Sequence, residues 1–290
     1  MMMTRFDKYK DDFAVFILSH GRPDSVHTLK TMKKGNYTGK WYIVIDNEDK
    51  QADEYYKKFG KEHVKMFDKL AVSKTFDTAD LSQERRAIVY ARNACFDIAK
   101  EMDLKYFVEF DDDYKSLGFR YPKDGKLVQK SCDDLNDVFA IMLDFLIDSN
   151  ALTVCMSQGG DHIGGFNGNW RKSLLRKVMN SFFCRTDRPF QFLGRVNEDV
   201  NTYTYFGSQG HLMFTVTDIM LNQLQTQSNA GGMTDLYLDG GTYLKSFYTV
   251  LFMPSAVTIQ PMRTTHKRLH HNVDWEHCVP MILAEEVKRT

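Results

Sequence analysis

The stretch Phe13-Ala-Val-Phe-Ile-Leu18 is a continuous apolar run that stops at Ser19-His-Gly-Arg-Pro-Asp24, a cluster of turn and helix-start residues. It reads as a buried strand and its exit loop. Val26, Leu29 and Met32 then recur at helical spacing, and Gly35-Asn36 closes the segment as a helix C-terminus closes. Trp41-Tyr-Ile-Val-Ile45 is a second apolar run, ending in Asp46-Asn47. A helix over Ala52 to Phe59 and a strand over His63 to Phe67 complete a β-α-β-α-β series. Such alternation predicts an α/β fold with a Rossmann-like, mostly parallel central sheet flanked by helices. In sheets of this kind ligands sit beyond the carboxyl ends of the strands, where Ser19 to Asp24 and Asp46-Asn47 fall.

Further along, Ile88, Ala91, Cys95, Ile98 and Met102 fall at steps of three and four, predicting an amphipathic helix from Glu84 to Met102 that carries Arg85, Arg86, Arg92 and Asn93. Tyr106-Phe-Val-Glu-Phe110 is the next strand. A helix from Asp133 to Ile147 and a strand over Leu152 to Met156 follow. Turns are marked by the glycines of 159–169, by Gly207 to Gly210 and by Gly231-Gly232. No repeat or Pro-rich linker divides the chain. The expectation is one domain over 1–290, with a nucleotide-binding part at about 13–156 and an acceptor-binding part at about 157–290.

Composition agrees with a globular protein. Of 290 residues 43% are hydrophobic and 26% charged, which excludes a disordered or fibrous chain. Cys95, Cys132, Cys155, Cys184 and Cys278 are scattered with no CxxC pair, arguing against a disulfide framework or zinc site and for a reducing compartment. Met1 to Asp12 lacks a signal-peptide apolar core, and no apolar run reaches the roughly 18 to 20 residues of a membrane span, so a soluble cytoplasmic protein is expected. Lysine plus arginine and aspartate plus glutamate balance at 38 each, so a polyanionic partner has to be argued from local patches.

The strongest chemical signal is Glu109-Phe110-Asp111-Asp112-Asp113 at the end of an apolar strand. Adjacent carboxylates repel, and a bound cation relieves them. Alternation along a strand would put Asp111 and Asp113 on one side, able to share Mg2+ or Mn2+ with diphosphate oxygens. A solvated acidic turn is the alternative.

The apolar first strand leading to Ser19-His-Gly-Arg-Pro, the helix with Ala91-Arg92-Asn93, and the strand ending in Asp-Asp-Asp together resemble the nucleotide-sugar half of GT-A glycosyltransferases. The likeness spans roughly residues 13 to 115. It implies that Asp111 and Asp113 are the family's Asp-x-Asp metal ligands. Ser19, His20, Gly21, Arg22, Asp46, Arg92 and Asp112 would then serve a nucleotide diphosphate sugar, a UDP-sugar in this reading. A narrower similarity is to phage glycosyltransferases of the TET/JBP-associated group, which implies a hydroxymethylated pyrimidine in DNA as acceptor. Gly194-Arg-Val-Asn-Glu-Asp199 resembles the acidic motif in which a carboxylate takes the acceptor's proton, here Asp199 with Glu198 as alternative. Resemblance also implies a late histidine on the metal, with His266, His270 and His271 as candidates and His266 as the choice. The glycine-rich segment Ser157 to Gly168 allows a backbone to approach a substrate closely, though it fits neither a P-loop nor a dinucleotide site.

A nucleic-acid acceptor finds local support between residues 170 and 188. Arg171, Lys172, Arg176, Lys177, Arg185 and Arg188 face one acid, Asp187, with Trp170, Phe182 and Phe183 interleaved. Such a stretch can grip phosphates and stack on an extruded base. The alternative is an amphipathic helix with Leu174, Leu175, Val178 and Phe182 toward the core. Two other functions stay open: a GT-A transferase acting on a glycan, lipid or protein, and a non-catalytic nucleotide-sugar or nucleic-acid binding module. No obligate protein partner is implied.

Overall fold

The structure is a computed structural model and describes residues 4–80, 84–170, 175–224, 244–262 and 268–288. Its first half follows the apolar runs. Strand β1 (Phe13–Leu18), helix α1 (His27–Lys34), β2 (Lys40–Asp46), α2 (Ala52–Phe59), β3 (Val64–Phe67), a short α3 (Lys69–Ser73), α4 (Val89–Glu101) and β4 (Tyr106–Asp111) come in that order. β2 and β4 pair with β1 in parallel, and β3 pairs with β2 in parallel. Both faces of β1 are buried, as expected for strands with helices on either side. Phe13, Val15 and Ile17 join Leu29, Met32, Tyr55 and the residues of α5 (Leu135–Ser149), while Ala14, Phe16 and Leu18 join α4 and α6 (Glu198–Ser208).

Beyond β4 the sheet becomes mixed. β5 (Tyr114–Lys123) and β6 (Lys126–Ser131) form an antiparallel pair; β7 (Thr153–Ser157), β8 (Ser181–Arg185) and β9 (Met213–Gln223) complete the order β3-β2-β1-β4-β8-β7-β9-β5-β6. β8 lies antiparallel between β4 and β7. Strands from both parts of the chain thus share one nine-stranded sheet. Residues 244–252 are helical (α7), and β10 (Val257–Met262) pairs antiparallel with β11 (Arg268–Val273), followed by one turn of helix, α8 (Trp275–Cys278).

Three expectations need correction. The helix predicted from Glu84 begins at Val89, because Arg85 turns aside to pair with Glu48 beyond β2 at 2.6 Å and Arg86 pairs with Glu84. The helix offered for Leu174 to Phe182 does not form over the described part of that stretch. Ser181-Phe-Phe-Cys184 is buried on both faces and fills the slot between β4 and β7 as a strand. Strand alternation also does not run through the aspartates, since β4 ends at Asp111 and Asp112-Asp113 turns the chain into β5. No helix among the described residues is long and apolar enough to cross a membrane.

Candidate active site

The carboxyl ends of β1, β2 and β4 lie side by side, and the loops leaving them are tied together by buried hydrogen bonds. Ser19 Oγ donates to Asp112 Oδ2 at 2.6 Å and lies 2.7 Å from the Tyr55 hydroxyl, which accepts from the Arg22 amide. The Arg22 guanidinium meets the other Asp112 oxygen at 2.9 Å. Gly21, in the left-handed region at φ +66°, donates its amide to Asp49 at 2.7 Å. His20 sits 2.7 Å from Asp46, whose same oxygen receives Lys69 Nζ at 3.2 Å. Burial acts to raise the Asp46 pKa, but the His20 bond and the Lys69 charge hold it below the usual carboxylate value. Both Asp112 oxygens are occupied within the protein, so this side chain shapes the Ser19 to Arg22 loop.

Behind the loop stands a second charge cluster. Arg92, on α4 and 1% exposed, reaches Asp111 at 3.0 Å, Glu198 at 3.3 Å and Glu109 at 3.5 Å, with its guanidinium 4.9 Å from the Phe182 ring. Glu109 is fully buried on β4, and both its oxygens lack a hydrogen-bond partner. Burial raises its pKa to about 8 against the pull of Arg92. Burial likewise raises Asp111, Asp112 and Asp113 to about 6, with neighbouring aspartates adding to the shift and Arg92 or Arg22 opposing it. Glu198 is pushed up by burial and by the adjacent Asp199.

Glu198 and Asp199 open α6, where the helix N-terminus favours negative charge. The chain enters through Gly194, at φ +80° and with no room for a Cβ beside Asn201 Nδ2, and through Asn197 at φ +57°. Asp199 keeps one oxygen on the Val200 amide at 2.8 Å. Of the late histidines, His266 lies outside the described residues. His271 reaches within 3.4 Å of the Asn197 side chain, next to Glu198. Burial and the nearby His270, Lys245 and Lys177 charges lower its pKa to about 3, so it stays neutral.

The cluster suits a divalent cation. Six carboxylates, Glu109, Asp111, Asp112, Asp113, Glu198 and Asp199, are opposed locally by two guanidiniums, those of Arg92 and Arg22, so negative charge is in excess. Asp113 Oδ1 is buried with no partner. Among the described residues, however, no three His, Cys, Asp or Glu side chains are gathered tightly enough to hold a metal by themselves. Asp111 and Asp113 would therefore need oxygens from a bound diphosphate, or a ligand from outside the described residues, to complete a coordination shell.

Residues 13–232 match the family model described as TET-Associated Glycosyltransferase. The chain belongs to this family. It is a glycosyltransferase with an α/β fold. Among solved structures it is similar to glucosyl-3-phosphoglycerate synthase from Mycobacterium tuberculosis in complex with Mn2+, UDP and phosphoglyceric acid, at 8% identity and TM-score 0.46, covering 97% of this chain and 93% of that one. The same enzyme with Mn2+ and UDP-glucose aligns at 7% identity and TM-score 0.43 over 93% and 91% of the two chains. A further mycobacterial protein aligns at 7% and 0.47 over 93% and 88%. Likeness at this level says nothing about donor or acceptor. No curated protein matches the chain.

The structure gathers Ser19, His20, Gly21, Arg22, Asp46, Arg92, Asp111, Asp112, Asp113, Glu198 and Asp199 at one edge of the glycosyltransferase's sheet. Of the nucleic-acid candidates, three lie within the described residues. Trp170 is 4% exposed and packs by His162, Arg176 pairs with Asp161 at 3.1 Å, and Arg171 and Lys172 lie outside the described residues. Lys177 lines a cavity of about 540 Å3 together with Gly160, Asn167, Gly168 and Trp275. Sequence reasoning included Glu109 in the acidic motif without giving it a role, and missed Tyr55, Asp49 and Lys69 as members of the site. Glu109 had a visible signal, a lone charge between Val108 and Phe110 in an apolar strand. Tyr55 had none, because an aromatic at helical spacing looks like core.

Proposed function

We propose that this glycosyltransferase moves a sugar from a nucleotide diphosphate sugar, a UDP-sugar, to a hydroxymethylated pyrimidine in DNA, using Mn2+ or Mg2+. The observation that carries the reading is the acidic cluster of Asp111 to Asp113 at the carboxyl end of β4 with Glu198 and Asp199 at the start of α6, buried or half-buried and short of positive charge, in a chain of this family. Asp111 and Asp113 would hold the metal with the donor's diphosphate oxygens. Bound there, it would neutralise charge on the leaving nucleotide diphosphate. The loop Ser19 to Arg22, stiffened by Asp112 and Tyr55, and the Asp46–His20 pair would receive the nucleotide. Arg92 would act from below, keeping Asp111 and Glu198 ionised and in place.

Asp199 is the better base. Glu198 is engaged by the Arg92 guanidinium, whereas Asp199 has no ion-pair partner among the described residues and keeps one oxygen clear of the Val200 amide. The acceptor would approach from residues 157–290, past the glycine-rich segment and the cavity beside Trp275, so donor and acceptor parts would divide one continuous domain over 1–290. The DNA acceptor is favoured over a glycan, lipid or protein by the family's TET association. A screen of UDP-sugars scored by UDP release tests the reading: release should require a divalent cation and rise with hydroxymethylated duplex. Release that ignores DNA but rises with an oligosaccharide would transfer the proposal to glycan chemistry.

A further inference from the structure

Strands β5 and β6 outrun the sheet that holds them. β5 pairs with β9 only from Tyr114 to Phe119, while its pairing with β6 runs from Gly118 to Lys123. Beyond Phe119 the chain is therefore a two-stranded ribbon at the sheet edge, closed by Asp124-Gly125 with φ of +50° and +70°, the signature of a tight type I′ hairpin turn. Residues 114–131 contain Lys115, Arg120, Lys123, Lys126 and Lys130 against one acid, Asp124, in a chain whose net charge is zero. All four lysines are exposed, and among the described residues none pairs with a carboxylate.

Register decides which face carries the charge. Phe119 is opposite Lys130, Tyr121 opposite Val128, and Lys123 opposite Lys126. Directly opposed residues share a face and successive ones alternate, so Lys123, Lys126 and Lys130 lie together with the exposed Tyr121 on one side of the ribbon. Two lysines directly across an antiparallel pair repel and weaken the hairpin. Folding alone gains nothing from that arrangement, and a polyanion laid on the face would relieve it. β6 also packs against the Gly165–Asn167 turn, which leads to Gly168 and the 540 Å3 cavity. Trp275 in that cavity stacks on Tyr203 at 5.6 Å, one turn along α6 from Asp199.

We propose that the β5–β6 ribbon is the contact for the phosphodiester backbone of the acceptor DNA, its Lys123, Lys126 and Lys130 face laid on the duplex so that a nucleotide can enter the cavity beside Trp275. The proposal rests on the DNA-acceptor reading above. A two-stranded ribbon has the dimensions to lie in a major groove about 12 Å wide, and lysines along it would neutralise phosphates. Lysines on an edge strand also prevent edge-to-edge pairing of sheets. Charge reversal separates the two roles, because glutamates guard an edge as well as lysines and repel DNA.

The test uses the full chain with Lys123, Lys126 and Lys130 all changed to Gln, and separately all to Glu. Anisotropy of a labelled hydroxymethylated duplex is followed across salt, and thermal melting checks that both variants fold. For the Gln variant the slope of log affinity against log salt should fall by about 2 to 3, at roughly 0.9 per phosphate contact released. The Glu variant should bind at least about tenfold more weakly at moderate salt. KM for the duplex should rise while kcat at saturating duplex is kept, as expected when binding is lost equally from ground and transition states. Wild-type protein that modifies DNA alongside variants with unaltered slope and KM overturns the ribbon's role and leaves the acceptor reading standing. Wild-type protein that neither binds nor modifies DNA overturns both.

Discussion

Arg92 holds the site together, and replacing it by Met tests how. Methionine keeps most of the packing against Phe182 and Phe192 but removes the one guanidinium that serves Glu109, Asp111 and Glu198. Breaking a buried ion pair from one side is worth about 3 to 5 kcal/mol. The carboxylates have one escape, which is to bind protons, and it becomes easier as pH falls. Their folded pKa values are raised, so the folded protein already holds more protons than the unfolded chain between about pH 4 and 8, and stability falls as pH rises through that window. Without Arg92 these pKa values rise further. The loss should thus approach about 3 to 5 kcal/mol at pH 8 and shrink by about 1.4 kcal/mol per pH unit for each extra proton held. At about 2 °C per kcal/mol, thermal melting at pH 8 should drop by about 6 to 10 °C, and by clearly less at pH 6. Urea titrations at both pH values give the free energies directly. A loss below about 1 kcal/mol at pH 8, or one that is flat with pH, would show that Arg92 does not carry the cluster's charge balance.

Three other outcomes follow from the same geometry. Mn2+ should raise the melting temperature of the wild type, with a gain that grows from pH 5.5 to 7.5 as the raised aspartates ionise, because metal binding displaces their protons; a gain that is constant with pH would contradict the assignment to these groups. Asp111→Asn and Asp113→Asn should each remove metal-dependent donor turnover while the protein still folds, and full turnover in excess chelator would refute the metal's role. Asp199→Asn should lower kcat by about 10²- to 10⁴-fold with donor affinity changed little, as a base acting in the transition state requires; if Glu198→Gln is the crippling change, the two roles are exchanged.

The first half of the fold was legible because its strands are buried on both faces and appear as unbroken apolar runs. β1, β2 and β4, and with them the placement of Ser19, Asp46 and Asp111, follow directly from those runs. The second half was less so. Leu174, Leu175, Val178 and Phe182 fall at helical steps by coincidence, and only the demand of β4 and β7 for a neighbour makes Phe182 part of a strand. The β5–β6 ribbon is absent from the sequence reading, although Asp124-Gly125 between strand-forming residues is a hairpin signal. Its lysines and Pro122 interrupt the apolar alternation that marks a half-buried strand. The aspartate triplet pointed to the site, but the hydrogen bonds that divide its members, with Asp112 turned to Ser19 and Arg22 and Asp111 to Arg92, depend on tertiary neighbours far away in sequence.

The central claim is sugar transfer to a hydroxymethylated base. The most direct measurement is the mass of nucleosides released from a hydroxymethylpyrimidine-containing duplex after incubation with the protein, Mn2+ and a UDP-sugar. The account predicts that the hydroxymethylated nucleoside gains the mass of one sugar, that the unmodified nucleosides gain none, and that Asp111→Asn abolishes the product. A duplex that keeps its original mass with every donor, while UDP is released in the presence of a glycan that becomes heavier, would contradict it.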